Sequence, residues 1–374
     1  MAAHASVRAL ARVSLSAVER NCRHLLGVAG GAQLCAVVKA DAYGHGAVQC
    51  ARAARAGGAT WLATATAGEA AALRASGIDG RLLVMGALTR DEWAPALAAD
   101  ADVVVWEPEA VRALAERVGP GGPPARVHVK LDSGMGRLGA IDPGQALAVA
   151  EIAAADDRLE LVGATTHFAT ADELGDDHFP AQLDRCTAFA DELRARHPGV
   201  LVHAANSAAT YRDAASHFDM VRCGIAIYGL DPFQGDPAER GLEPALALEA
   251  TVGAVRRFER GWSAGYGRRW TAREPTWVAT IPIGYGDGWR RALGDGCDVL
   301  IGGRRRPLVG TVSMDNLTVD LGPRTDVEPG DGAVLIGPQG GERIPCEEVA
   351  RRIGTINYEV TCGLTARVPR AYAG

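Results

Sequence analysis

The stretch Leu34-Cys35-Ala36-Val37-Val38-Lys39-Ala40-Asp41-Ala42-Tyr43-Gly44-His45-Gly46 decides how the rest of the chain is read. Its five consecutive apolar residues show no alternation, which suits a strand buried on both faces of a parallel sheet. A lysine ends the run and a glycine-rich segment follows. Just upstream, Ser16 and Glu19 read as a capping box, and Val18, Cys22, Leu25, Leu26 and Ala29 share one face of the helix they open.

The same alternation repeats outward. Strand-like runs fall near Trp61–Thr64, Arg81–Gly86, Val103–Trp106, Arg126–Asp132, Leu159–Phe168, Leu201–Asn206 and Met220–Gly224. Helical stretches such as Gly68–Ser76, Pro108–Val118, Pro143–Ala155 and Asp177–His197 separate most of them. With the run ending at Lys39 there are eight units, which predicts a (β/α)8 TIM-like barrel; an open doubly wound sheet is the rival arrangement. Lys39, Lys130, Asp132, His167, Asn206 and Arg222 all lie at or near the C-terminal ends of these runs. Barrel enzymes converge their chemistry there, so six polar residues in that position predict one shared site. Beyond Asp231-Pro232 the texture changes to β-rich segments, at Leu246–Phe258, Trp277–Ile283, Asp298–Ile301, Leu308–Asp320 and Ala333–Ile336. The expected organisation is a barrel over residues 1–238 and a mainly β C-terminal domain over 239–374, with the boundary near 235–245.

Composition narrows the function classes. The 374 residues are 48% hydrophobic and 22% charged, enough for two globular domains, and carry a net charge of -6. No basic block points to nucleic acid. No apolar run reaches membrane-spanning length. The eight cysteines are scattered without a Cys-x-x-Cys pair, so buried thiols of a cytoplasmic protein are expected, and no metal site. The first eighteen residues lack acids, as a transit peptide does, but they run directly into the capped helix.

Taken singly, these residues have ordinary readings. Lys39 at a strand end is either a solvated rim lysine or a desolvated amine able to condense with an aldehyde. His167 alone reads as a satisfied buried histidine, Lys130 with Asp132 as a strand-end ion pair, and Tyr266 as a turn aromatic between glycines.

Together they resemble the alanine racemase family. Val38–Gly46 is similar to its cofactor-lysine signature. The resemblance continues through Lys130-Leu-Asp-Ser-Gly-Met-Gly-Arg137, Thr166-His167-Phe168, Asn206-Ser207 and Val221-Arg222-Cys223-Gly224-Ile225. It then runs through Gly265-Tyr266-Gly267, Pro282-Ile-Gly-Tyr285-Gly-Asp287-Gly288, Ser313-Met314-Asp315 and Asn357-Tyr358-Glu359. It implies a pyridoxal-phosphate enzyme interconverting L- and D-alanine for cell-wall peptidoglycan, with the cofactor on Lys39 as a Schiff base. Lys39 and Tyr266 would be the two bases, on opposite faces of the substrate. Tyr43, Asn206, Ser207, Tyr358 and the backbone of Gly224 and Ile225 would hold the cofactor, its phosphate above all, and Arg222 would face the pyridine nitrogen. Arg137, Tyr285, Asp315 and the Met314 backbone would receive the substrate. His167 would link Arg222 to Tyr266, and Lys130 would be open to carbamylation so as to hold Arg137. A homodimer with shared active sites is also implied. The chain departs from the family at Asp41, where many members carry asparagine, and at Ser313, where some carry cysteine. The competing readings are a racemase of serine or basic amino acids, a non-catalytic pyridoxal-phosphate carrier and a barrel decarboxylase. The carrier lacks the second domain that this chain has, and the decarboxylase would place an acid where Arg222 stands.

Overall fold

A computed structural model describes residues 8–294 and 296–374. They divide into two compact units. One comprises Val18–Tyr43 and Ala47–Ile227; the other joins the N-terminal strand, Gly44–Gly46 and Tyr228–Gly374.

The first unit contains eight parallel strands. Their order is Leu201–His203, Leu159–Thr165, Ala125–Lys130, Asp102–Val105, Arg81–Val84, Trp61–Thr64, Gln33–Val37 and Met220–Cys223. The last strand returns to the first: Asp219 N donates to Val202 O at 3.0 Å and Arg222 N to Ala205 O at 2.8 Å. The sheet therefore curls into a nearly closed barrel, as the eight-unit pattern predicts. Helices at Ala67–Ala75, Pro108–Ala115, Pro143–Ala154 and His178–Arg196 match the expected stretches within three residues. Leu34, Leu62, Leu83, Val103, Val127 and Val129 are completely buried, which is why their strands read as uninterrupted apolar runs.

The second unit is mainly β. Its largest sheet runs Arg304–Pro307, Asp298–Ile301, Gly332–Gln339, Leu246–Thr251, Ala9–Ser14 and Arg370–Ala373, with Glu342–Ile344 added beside Gly332–Gln339. A three-stranded sheet of Ala254–Phe258, Thr276–Ile281 and Leu317–Gly322 accompanies it.

Three local expectations change. The segment before the first helix is a strand, Ala9–Ser14, paired antiparallel to Leu246–Thr251 and parallel to Arg370–Ala373. The helix then starts at Leu15 rather than after Ser16. Ser14 Oγ caps it, accepting from Ala17 N at 3.2 Å. The run Leu308–Asp320 is not one strand. Val309–Asn316 forms a loop that closes on itself, and pairing resumes only at Leu317. Likewise Leu246–Phe258 breaks at Val252-Gly253 into strands of two different sheets.

Two short helices, Cys346–Arg352 and Asn357–Cys362, complete this unit. Buried Asn357 donates to Asp231 O and to Glu347 Oε1, both at 2.9 Å, and accepts from Gln234 at 3.0 Å. Glu347 also accepts from Asp231 N at 3.0 Å, so both donors meet one oxygen, while Oε2 is buried with no hydrogen-bond partner among the described residues. Burial pushes the Glu347 carboxyl up despite the hydrogen bonds from Asn357 and Asp231. The unfolded chain then ionises this group first, so its stability contribution is complete below the ordinary glutamate value of about 4.3 and declines as pH rises. Glu347→Gln should match wild type in denaturant midpoint near pH 4 and exceed it near pH 8. A constant difference at both pH values would refute a neutral Glu347.

Candidate functional site

Each unit gathers a set of the expected residues around its own backbone. In the barrel, Lys39 is half-buried at the end of Gln33–Val37 and opens a left-handed helical turn. Ala40, Asp41, Ala42 and Tyr43 have φ between 51° and 55° and ψ between 37° and 51°. Such a conformation costs roughly 1–2 kcal/mol per non-glycine residue, so it needs external restraint. Ala40 N donates to Glu69 Oε1 at 2.6 Å, Ala42 N to Val38 O at 2.9 Å, and Ala47 N to Asp41 Oδ1 at 2.8 Å. Asp41 is used only as an acceptor here, so a carboxylate serves as well as the amide other members carry. The turn aims the Tyr43 ring inward, with Lys39 Nζ 6.0 Å from its centroid.

Tyr43, Ser207, Gly224 and Ile225 come together. Ser207 Oγ accepts from Gly224 N at 3.0 Å and from Ala226 N at 3.3 Å, and the same hydroxyl reaches the buried Cys223 thiol. A Cβ at Gly224 would overlap the Tyr43 hydroxyl. Ile225 N has no partner among the described residues, although Ile225 is fully buried. A hydroxyl, a phenol and an uncommitted buried N–H on one small patch fit a phosphate. Asn206 takes a structural part in this patch: its side chain caps the short helix bearing Ser207, accepting from Ala209 N at 2.9 Å.

Arg222 lies on the closing strand and is 5% exposed. Its Nη1 donates to His203 Nδ1 at 2.8 Å and His203 O at 2.7 Å. Its Nη2 donates to Thr166 O at 2.8 Å, Ala204 O at 3.0 Å and His167 Nδ1 at 3.3 Å. Every acceptor is neutral, and Nε–H is left uncommitted among the described residues. Because a guanidinium only donates, both acceptor nitrogens must lack protons. His203 therefore carries its proton on Nε2 and passes it to His128 Nδ1 at 2.9 Å. His128 Nε2–H in turn meets Asp102 Oδ2 at 3.1 Å. Asp102, His128 and His203 are fully buried, and Arg81 and Arg126 hold the carboxylate at 2.6 and 2.7 Å. Sequence reading missed this chain. Its signal was polar residues inside strands that are otherwise apolar.

Burial and the Arg222 cation together set the neighbouring groups. Burial first, then the charges of Arg222 and Arg137, bring the Lys130 ammonium down to about 8. Burial and the Arg222 charge hold His167 and His203 well below the usual histidine range. Asp132 is not bonded to Lys130 as a simple pair. Its Oδ1 accepts from Gly134, Met135 and Gly136 N at 2.9, 2.7 and 3.1 Å, and its Oδ2 from Arg137 N at 3.1 Å. These bonds outweigh its burial and keep its carboxyl low, shaping the loop that presents the exposed Arg137.

In the second unit the loop 311–316 is the organiser. Tyr266, 70% exposed, offers its carbonyl to Thr311 Oγ1 at 2.9 Å. Tyr285 N donates to Ser313 O at 3.1 Å, and Gly286 N to Met314 O at 2.9 Å. Ser313 Oγ donates to Asn316 O at 2.8 Å and accepts from Asn316 N at 3.0 Å, closing the turn with two bonds that a thiol would make less well. Met314 N–H has no partner among the described residues, and Met314 is half exposed. Tyr266, Tyr285, Met314 and Asp315 are thus assembled on one scaffold. Tyr358 stands on the helix that Asn357 anchors.

The family profile "Alanine racemase, N-terminal domain" matches residues 13–232, and "Alanine racemase, C-terminal domain" matches 245–372. This chain belongs to the alanine racemase family. It is 42% identical to the alanine racemase of Symbiobacterium thermophilum, over 97% of both chains, and 42% identical to that of Streptomyces coelicolor, over 99% of this chain and 97% of the other. The solved alanine racemase of the D-cycloserine producer Streptomyces lavendulae superimposes with a TM-score of 0.95 at 37% identity, covering 99% of this chain and 98% of that one. Membership makes the protein an amino-acid racemase. Among the described residues no helix is long and apolar enough to cross a membrane, and no cluster of His, Cys, Asp or Glu is arranged to hold a metal.

The donor chain from Arg222 allows neither His203 nor His167 to take up a proton. Their ring 15N resonances should stay those of neutral Nε2–H imidazoles from about pH 5.5 to 8, the window in which an ordinary histidine titrates. A titration step at either ring would overturn the assignment.

Proposed function

We propose that the protein interconverts L- and D-alanine with pyridoxal phosphate held on Lys39, supplying D-alanine for peptidoglycan from the cytoplasm. The observation that carries this reading is a buried arginine whose hydrogen-bond partners among the described residues are all neutral. The cofactor, when bound, supplies an electron sink that acidifies the substrate Cα–H. Arg222, with its Nε–H uncommitted and no proton to surrender, would face the pyridine nitrogen of the bound group, leave it unprotonated and so keep the sink weak. A weak sink favours return of the proton to Cα over transamination. Tyr43, Ser207, Gly224, Ile225 and Tyr358 bind the phosphate, and Asn206 holds Ser207 in place.

Inversion needs a proton removed on one face and returned on the other. Lys39 Nζ takes and returns it on one face, the Tyr266 hydroxyl on the other. His167 uses its remaining Nε2–H to orient Tyr266. Arg137 and the uncommitted Met314 N–H receive the substrate carboxylate, with Tyr285 and Asp315 bounding the pocket. Lys130, brought down to about 8, keeps a share of neutral amine at neutral pH, and its lone pair adds to the carbon of CO2 with loss of a proton to solvent. The carbamate then faces Arg137 as an anion. The strongly exposed Tyr266 suits a tyrosine that serves a partner chain, so the working unit is a head-to-tail homodimer with shared sites.

A chiral assay of the purified holoenzyme on L-alanine should yield D-alanine. Loss of the general base should cost about a hundredfold or more. In Tyr266→Phe that loss should fall on α-proton exchange of L-alanine and largely spare D-alanine. Equal losses for both would count against two bases. Mixing inactive Lys39→Ala and Tyr266→Phe chains under subunit exchange should restore activity up to about a quarter of wild-type sites. Exchange without recovery would refute the shared site.

A further inference from the structure

The second unit contains an ion network that the reaction scheme above does not use. Asp287 ends the turn Tyr285–Asp287 and is fully buried. Its Oδ2 accepts from Gly284 N and from Arg8 Nη1, both at 3.0 Å, and its Oδ1 pairs with Arg8 Nη2. Arg367 approaches the same Oδ1 through Nε at 3.3 Å and donates from Nη2 to Asp315 Oδ1 at 2.6 Å. One guanidinium therefore spans two acids on different loops. The first acid belongs to the turn carrying Tyr285, the second to the turn carrying Met314. The two turns also touch directly through Gly286 N and Met314 O, at a contact too close for side chains. A Cβ at Gly284 would strike Ser313 O, and one at Gly286 would strike Arg367 Nη1.

We infer that Arg367 is a positioning residue for substrate carboxylate binding: by bridging Asp287 and Asp315 it fixes the Met314 N–H and the Tyr285 ring relative to each other. The inference rests on the racemase reading, in which Met314 N–H meets the carboxylate. The division of labour follows from burial. Arg8 neutralises Asp287 and ties it to Pro282 O at 2.7 Å, so the buried acid keeps a partner if Arg367 is lost. Asp315 is exposed, and Arg367 is its only ion-pair partner among the described residues, so the Met314 turn depends on Arg367 for its lateral restraint. Asp315 then acts through Arg367 rather than on the substrate itself. A lysine is a single point donor and cannot bridge both acids with a planar fork.

The test uses holoenzyme and two probes that divide alanine between them: propionate, which has the carboxylate without the amine, and ethylamine, which has the amine without the carboxylate. Loss of a charge-assisted positioning contact should raise KM for alanine and weaken inhibition by propionate about tenfold in Arg367→Ala, with kcat less affected. Ethylamine binding should be unchanged. Arg367→Lys should recover only part of the loss. Asp315→Asn should move the same readouts in the same direction, and the double variant should be no worse than Arg367→Ala, because both changes remove one contact. Equal weakening of both probes, an unaltered propionate constant, or additive losses in the double variant would each overturn the inference. Should wild-type holoenzyme neither racemise alanine nor bind propionate, the racemase reading itself fails. Should it do both while Arg367→Ala matches it, only the role of Arg367 fails.

Discussion

A buried guanidinium that meets no counter-ion among the described residues organises the barrel site. Removing Arg222 from water disfavours its charge, and among the described residues no carboxylate compensates directly; burial brings it down to about 10, still charged at neutral pH. The structure tolerates it by surrounding it with five neutral acceptors from the ends of two strands, Leu159–Thr165 and Leu201–His203. That solution dictates the protonation of everything nearby. Two histidines must present bare nitrogens, Lys130 loses part of its affinity for protons through its own burial first and the Arg222 charge second, and the nearest acid in the chain of hydrogen bonds is two imidazoles away. Closure of the barrel is the precondition, since only there do the strands ending near Thr165, His203 and Cys223 lie side by side.

The lysine end of the site depends on a second constraint of a different kind. Four successive non-glycine residues in left-handed conformation are unfavourable by local sterics. They persist because Glu69, itself locked in a capping box with Thr66, and Asp41 each accept a backbone N–H from the strained segment or its end. The strain swings Tyr43 against Gly224, where the absence of a Cβ makes room for its hydroxyl. A cofactor cradle thus arises from a turn that isolated peptide preferences would reject.

In the second unit, position is controlled by backbone contact together with one buried carboxylate, Asp287. Glycines at 284 and 286 let one turn lie against another, and Arg367 holds the assembly from the outside. The aromatic and thioether groups of Tyr266, Tyr285 and Met314 gain defined places although Tyr266 is largely open to solvent and the other two about half so.

The barrel was legible in the sequence because parallel strands are buried on both faces, so each appears as a short apolar run ended by the polar group it delivers. Lys39, Lys130, His167 and Arg222 were found in this way, and family resemblance supplied Tyr266, Met314 and Tyr358, which periodicity could not. Several features were decided only by tertiary structure. Ala9–Ser14 alternates weakly and becomes a strand because Leu246–Thr251 and Arg370–Ala373, more than two hundred residues on, offer it edges. Val309–Asn316 has strand-like composition yet turns, because Ser313 satisfies Asn316 locally and competes with ladder pairing. The Asp102–His128–His203–Arg222 chain and the Arg367 clamp join residues far apart in sequence. Apolar patterning records which face a residue buries; the partner that a polar or charged side chain finds depends on which strand ends and loops the fold brings within hydrogen-bond reach.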